Sequence, residues 1–116
     1  TCSEDSAKIE RLQQQGVIVR QFSGDRPELN AVLSALHDDG INEVHVEAGA
    51  TLTGSLVEAG LVDELLIYMA PCLMGSAARP LFQLPFEYMQ DRLVLDVRDI
   101  RAIGNDWRIL AGLQVI

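Results

Sequence analysis

Three times in its first sixty residues this chain runs a helical period up to a glycine and then turns to a different texture. Ser3–Gln15 carries apolar residues at Ile9 and Leu12, with Ser3, Asp5 or Ser6 as its cap and Gly16 as its stop. Glu28–Asp39 sets Leu29, Val32, Leu33 and Leu36 on one face and stops at Gly40, and Thr51–Ala59 stops at Gly60. Between them lie two short β-branched runs, Val17–Phe22 and Ile41–Val46, and a longer one, Asp63–Pro71, follows the third helix. Strands joined through helices pair parallel, by right-handed crossovers. This alternation predicts an α/β fold whose sheet is mostly parallel and flanked by helices.

The tail changes character. Met74–Leu84 is irregular, and then Leu93–Ile103 and Trp107–Val115 alternate strand-like residues around Gly104-Asn105-Asp106, a hairpin signal. The hairpin adds antiparallel strands to one side of the sheet, so the expected sheet is mixed. Asp63-Glu64 begins a strand at the surface, and Trp107 packs in the hairpin. At 116 residues the chain makes a single small domain, 1–116, with a modest core.

Charge removes one class of partner. Nine Lys and Arg against 17 Asp and Glu give −8, which speaks against nucleic acid on a broad surface. A single anionic cofactor is still allowed, because backbone donors bind it locally. No apolar run reaches the roughly 18 residues of a membrane span, and no signal peptide opens the chain, so a cytoplasmic protein is expected. Cys2 and Cys72 are expected to be free thiols, since two distant cysteines make neither a disulfide framework nor a zinc site. His37 and His45 have no second ligand at metal spacing, and no Ser/His/Asp set can be assembled; no metal is expected and no catalytic residue is identified.

In sheets of this kind ligands bind beyond the carboxyl ends of the strands. The second expected strand ends in Glu47, and Gly49-Ala50-Thr51-Leu52-Thr53-Gly54-Ser55 follows where a helix begins. Two glycines permit close backbone approach, three hydroxyls can donate, and a helix start adds free N–H groups with a positive dipole end. The stretch is neither GxGxxG nor a P-loop, which would need a lysine after Gly54. It therefore reads in two ways: as a phosphate cradle, or as a helix start with Gly54 packed closely against the sheet. Glu47 likewise reads as an acceptor for a polar substrate, or as a surface acid at the sheet's rim or a partner of the helix N-terminus.

Taken whole, "INEVHVEAGATLTGSLVEAGLVDELLIYMAPCLMG" (Ile41 to Gly75) resembles the C-terminal reductase domain of bacterial bifunctional riboflavin-biosynthesis enzymes. These are diaminohydroxyphosphoribosylaminopyrimidine deaminase/5-amino-6-(5-phosphoribosylamino)uracil reductases. "VEAG", "GSL" and "GLVDEL" follow one another at the family's spacing, and a looser match covers Gly16–Val19 and Val32–Ile41. The resemblance implies a dihydrofolate-reductase-like fold and NADPH-dependent reduction of a phosphoribosylaminopyrimidine to its ribityl product. It assigns Glu47 to the substrate and Gly49, Ala50, Thr51, Leu52, Thr53, Gly54 and Ser55 to NADPH. The letters HxE at His45–Glu47 lack the PCxxC of the upstream deaminase zinc site. The resemblance also implies that this chain matches the C-terminal half of the reductase domain and is inactive alone. The alternatives are a reductase of the same fold acting on another pterin-like or pyrimidine substrate and, from another class, a non-catalytic homodimerising α/β module whose hairpin edge strands pair across a two-fold axis.

Overall fold

The computed structural model describes residues 1–3 and 5–114. Glu4, inside the first expected helix, and Val115, at the end of the last expected strand, lie outside the described residues. The chain divides into two compact units, Thr1–His45 and the stretch from Val46 onward.

The first unit holds two helices. Helix α1 (Ser6–Gln14) starts at Asp5, whose carboxylate accepts the Lys8 N–H at 3.0 Å, and ends before Gly16 at φ 80°. Helix α2 (Leu29–Asp38) starts at Glu28, whose two carboxylate oxygens accept the N–H groups of Asn30 (3.0 Å) and Ala31 (2.7 Å). Those two bonds to the charged form, the Asn30 one first, hold the Glu28 carboxyl below its usual range. Gly40, at φ 83°, closes the helix, and Arg20 pairs with Asp39.

The second unit contains helix α3 (Ala50–Glu58), strand β1 (Leu65–Met69), a single 3₁₀ turn (Met89–Asp91), and strands β2 (Val94–Ile103) and β3 (Asp106–Gln114). The strands form a sheet of order β1-β3-β2 in which both pairings are antiparallel. Ile103 lies opposite Asp106, so the hairpin turn is Gly104-Asn105. Its positive φ falls on the first central residue alone, Gly104 at 61°, as a type II′ turn requires.

The mostly parallel sheet is thus a correction within the described residues: the ladders present are antiparallel. Residues 17–22 and 41–46 form no ladder, because a strand exists only beside a neighbour that satisfies its backbone. Their side chains reflect this, with Ile18 at 80% exposure and Val44 and Val46 above 40%. One trace of parallel pairing remains. The Thr1 amino group donates to the Arg20 carbonyl and the Thr1 carbonyl accepts the Phe22 N–H, each at 2.8 Å, which is the two-sided pattern of a parallel bridge to Gln21.

The sheet has two unlike faces. Leu65, Ile67 and Met69 of β1 lie beside Ala111, Ile109 and Trp107 of β3, and those beside Val97, Ile100 and Ala102 of β2. The other face carries ion pairs: Arg98 with Glu64 at 2.8 Å, and Asp99 with Arg101 (2.7 Å) and Arg108 (2.8 Å). Arg101 first, then Arg108, lowers the Asp99 carboxyl below its usual range. Among the described residues few apolar side chains are buried: Leu56 and Val57 of α3 and Ala111 of β3. No helix among the described residues is long and apolar enough to cross a membrane.

Candidate functional site

A pocket of ≈ 560 Å³ opens at the start of α3. One wall is Ala48, Gly49, Ala50, Thr51 and Leu52; the other is Arg79, Pro80 and Gln83. The helix puts its N–H end there for a local reason. Gly49 is the N-cap, at φ −77° and ψ 167°, and no side chain caps the helix. The first N–H groups of a helix have no intrahelical acceptor, and Ala50, Thr51 and Leu52, which carry them here, line the pocket. The facing wall is tied down by three bonds. Gln83 donates its N–H to the Ala50 carbonyl (3.0 Å), the Thr51 hydroxyl donates to Gln83 Oε1 (3.1 Å), and the Thr53 hydroxyl reaches the Leu81 carbonyl (3.3 Å).

The structure divides the seven-residue stretch in two. Gly49, Ala50, Thr51 and Leu52 line the pocket; Thr53, Gly54 and Ser55 do not. Thr53 and Ser55 turn their hydroxyls back to the carbonyls of Gly49 (3.1 Å) and Thr51 (3.0 Å), four residues earlier. Gly54 is buried, and a Cβ built on it would stand 2.1 Å from the Gln83 carbonyl oxygen. Close packing therefore explains this glycine, although the neighbour is the loop at Gln83 rather than the sheet. Gly49 has an ordinary φ and open space around it, so its lack of a side chain serves room rather than conformation. Glu47 is exposed, just before the pocket wall.

Sequence reasoning missed Arg79. Its signal was available: no other lysine or arginine lies between Arg26 and Arg92. The pocket lining has this one cation and no carboxylate, in a chain of net charge −8. The arrangement can hold an anionic group, with helix N–H donors on one side and a guanidinium on the other. Among the described residues no cluster of His, Cys, Asp and Glu could hold a metal, and Cys2 and Cys72 are free thiols.

Comparison with known proteins bears on the same residues. The family model described as the RibD C-terminal domain matches residues 1–109. The riboflavin biosynthesis protein RibD of Escherichia coli is 45% identical over 80 residues, 68% of this chain and 22% of that protein. The 5-amino-6-(5-phosphoribosylamino)uracil reductase of Buchnera aphidicola is 35% identical over 101 residues, 85% of this chain and 48% of that protein. Among solved structures, Acinetobacter baumannii RibD aligns with TM-score 0.79 and 32% identity, covering 90% of this chain and 29% of that one. The chain thus spans between about a fifth and a half of the length of the curated relatives named here.

Proposed function

We infer the function from one premise: this chain belongs to the RibD C-terminal domain family. Relatives bearing that match are named as pyrimidine reductases of riboflavin biosynthesis, and the reading for this chain is the same reduction. The substrate is 5-amino-6-(5-phosphoribosylamino)uracil, whose ribosyl group is opened to ribityl, and the cofactor is NADPH. Bound NADPH supplies a hydride from its nicotinamide ring. The chain's own residues bind and orient. In this reading the N–H groups of Ala50, Thr51 and Leu52, together with the Arg79 guanidinium, hold the cofactor's phosphates. Gly49 leaves space for them, and Glu47 accepts hydrogen bonds from the substrate.

The observation that carries the cofactor assignment is the pocket free of carboxylates at an uncapped helix start. Gly49→Val tests it cleanly. The backbone there is extended, as valine prefers, and an added Cβ meets nothing within 4 Å, so the protein itself tolerates the change. Titrating NADPH against this chain to millimolar concentration, with Trp107 fluorescence as readout, should show saturation. The Gly49→Val variant should bind at least about tenfold more weakly, a loss of about 1.4 kcal/mol. Equal affinity in the variant removes the loop from the cofactor site, and no saturation in the parent chain removes the pocket.

A further inference from the structure

Gln83 lines the pocket and is fixed on three sides. Its N–H donates to the Ala50 carbonyl at 3.0 Å, and its own carbonyl packs against Gly54. Its side-chain Oε1 accepts the Thr51 hydroxyl at 3.1 Å. An amide whose oxygen is committed in this way keeps two N–H donors on Nε2. Among the described residues no acceptor meets that nitrogen.

The rest of the seam decides what those donors suit. The Gly49 carbonyl already accepts the N–H and the hydroxyl of Thr53, at 3.2 and 3.1 Å. The Ala50 carbonyl accepts Gln83, and the Thr51 carbonyl accepts the Ser55 hydroxyl at 3.0 Å. These acceptors are engaged. What the lining offers is donors: the first helical N–H groups, the Arg79 guanidinium and the Gln83 amide. A ribose hydroxyl or a base amino group must place a proton on an acceptor. An ionised phosphoryl group presents acceptor oxygens alone, so of the parts of a dinucleotide it suits this lining best.

We propose that Gln83 is a cofactor-binding residue, donating from Nε2 to a phosphate oxygen, and that Thr51 is the residue that positions it. The inference rests on the cofactor reading given above. Thr51 acts through Gln83: its hydroxyl hydrogen is committed to Oε1, which fixes the end of the amide left for the ligand. Because Gln83 is already bonded to α3 through backbone and side chain, little freedom is lost when the ligand arrives.

Calorimetric titration of NADPH into the whole chain tests this. Gln83→Glu keeps the length and the oxygen facing Thr51 but replaces the donor by an anionic oxygen, and should weaken binding at least about tenfold. Gln83→Met, uncharged and of similar length, should weaken it about three- to tenfold. It decides the matter if the acidic variant unfolds, with circular dichroism recording the fold of each. Thr51→Val should weaken binding about threefold, and Thr51→Ser should keep most of the parent affinity. In the Gln83→Met background Thr51→Val should bring no further loss, because the two residues act as one unit. A parent chain that saturates while both Gln83 variants bind as tightly overturns the proposal and leaves the cofactor reading standing. So does a full Thr51→Val loss in the Gln83→Met background, which puts the hydroxyl on the ligand itself. No saturation of the parent chain removes the cofactor reading, and the proposal with it.

Discussion

Gly54→Ala should destabilise this protein, although in an isolated helix the same change would help. Alanine is favoured over glycine by about 0.8–1.0 kcal/mol in a helix interior. Here the new Cβ would lie 2.1 Å from the Gln83 carbonyl oxygen, 2.9 Å from its carbon and 3.1 Å from its nitrogen. These are backbone atoms, with no rotamer to change. Ordinary contact begins at 3.4 Å, so the strand of chain at Gln83 must retreat by 3.4 − 2.1 = 1.3 Å. That movement breaks or stretches the three bonds tying the loop to α3, from Gln83 N–H, the Thr51 hydroxyl and the Thr53 hydroxyl. At about 0.5–1.5 kcal/mol each they amount to roughly 1.5–4.5 kcal/mol. Overpacking without retreat costs a similar ~1–3 kcal/mol. Less the helix gain, the net loss when the loop retreats is about 0.5–3.5 kcal/mol. Urea unfolding followed by Trp107 fluorescence measures it within the right unit, since α3 and β3 both lie beyond Val46. A midpoint unchanged or raised in Gly54→Ala would refute the packing argument and reopen this glycine as a ligand contact.

Gly112→Ala supplies the contrast. Its Cβ would stand 2.6 Å from Arg98 Nη2, but that atom ends a flexible side chain, 47% exposed. Arg98 should swing away and lose Glu64, a surface pair of about 0–1 kcal/mol, so the same urea assay should register a smaller loss than for Gly54→Ala. Glu28→Gln tests the cap of α2 through pH. Because the folded-state pKa of Glu28 is lowered, its contribution is present above the usual carboxylate pKa of 4.5 and is lost as pH falls through the lowered value. Amide exchange in α2 should therefore accelerate on acidification below about pH 4.5 in the parent chain, and the Gln variant should lack that component. An identical acid response in both would show that the carboxylate does not hold the helix start.

What was legible in the sequence was local. Helix ends depend on a cap and a stop within a few residues, so Asp5, Gly16, Gly40 and Gly60 mark α1, α2 and α3 to within about a turn. The hairpin was legible for the same reason, since Gly104 fixes its turn by its own φ. The sheet was not. A crossover rule states how two strands pair once they are neighbours, and nothing in Val17–Phe22 or Ile41–Val46 specifies that a neighbour stands beside them. The seam was half legible. Seven residues looked like one run of donors, but once the helix starts at Ala50 its rise carries Thr53, Gly54 and Ser55 about one turn, roughly 5 Å, along the axis and away from the opening at its start. Two hydroxyls then satisfy carbonyls of their own helix, and Gly54 serves packing. The isolation of Arg79 as a cation was legible but its partner was not: some thirty positions separate it from Gly49, and the loop bonded back through Gln83 joins them.

The net charge of −8 is the obvious objection to an anionic cofactor, and distance answers it. At physiological salt the Debye length is about 8 Å, so carboxylates farther off act weakly on a phosphate in the opening. What acts most directly is the lining, and its only formal charge is the positive Arg79. The α3 dipole adds a fractional positive charge from the opposite wall. The lining therefore carries formal charge of the opposite sign to that of the whole molecule. An acidic surround of this kind repels a polyanion, which must lie across many carboxylates at once, while admitting an anion that enters one mouth. The charge that argued against nucleic acid in the sequence thus argues for selectivity at this pocket.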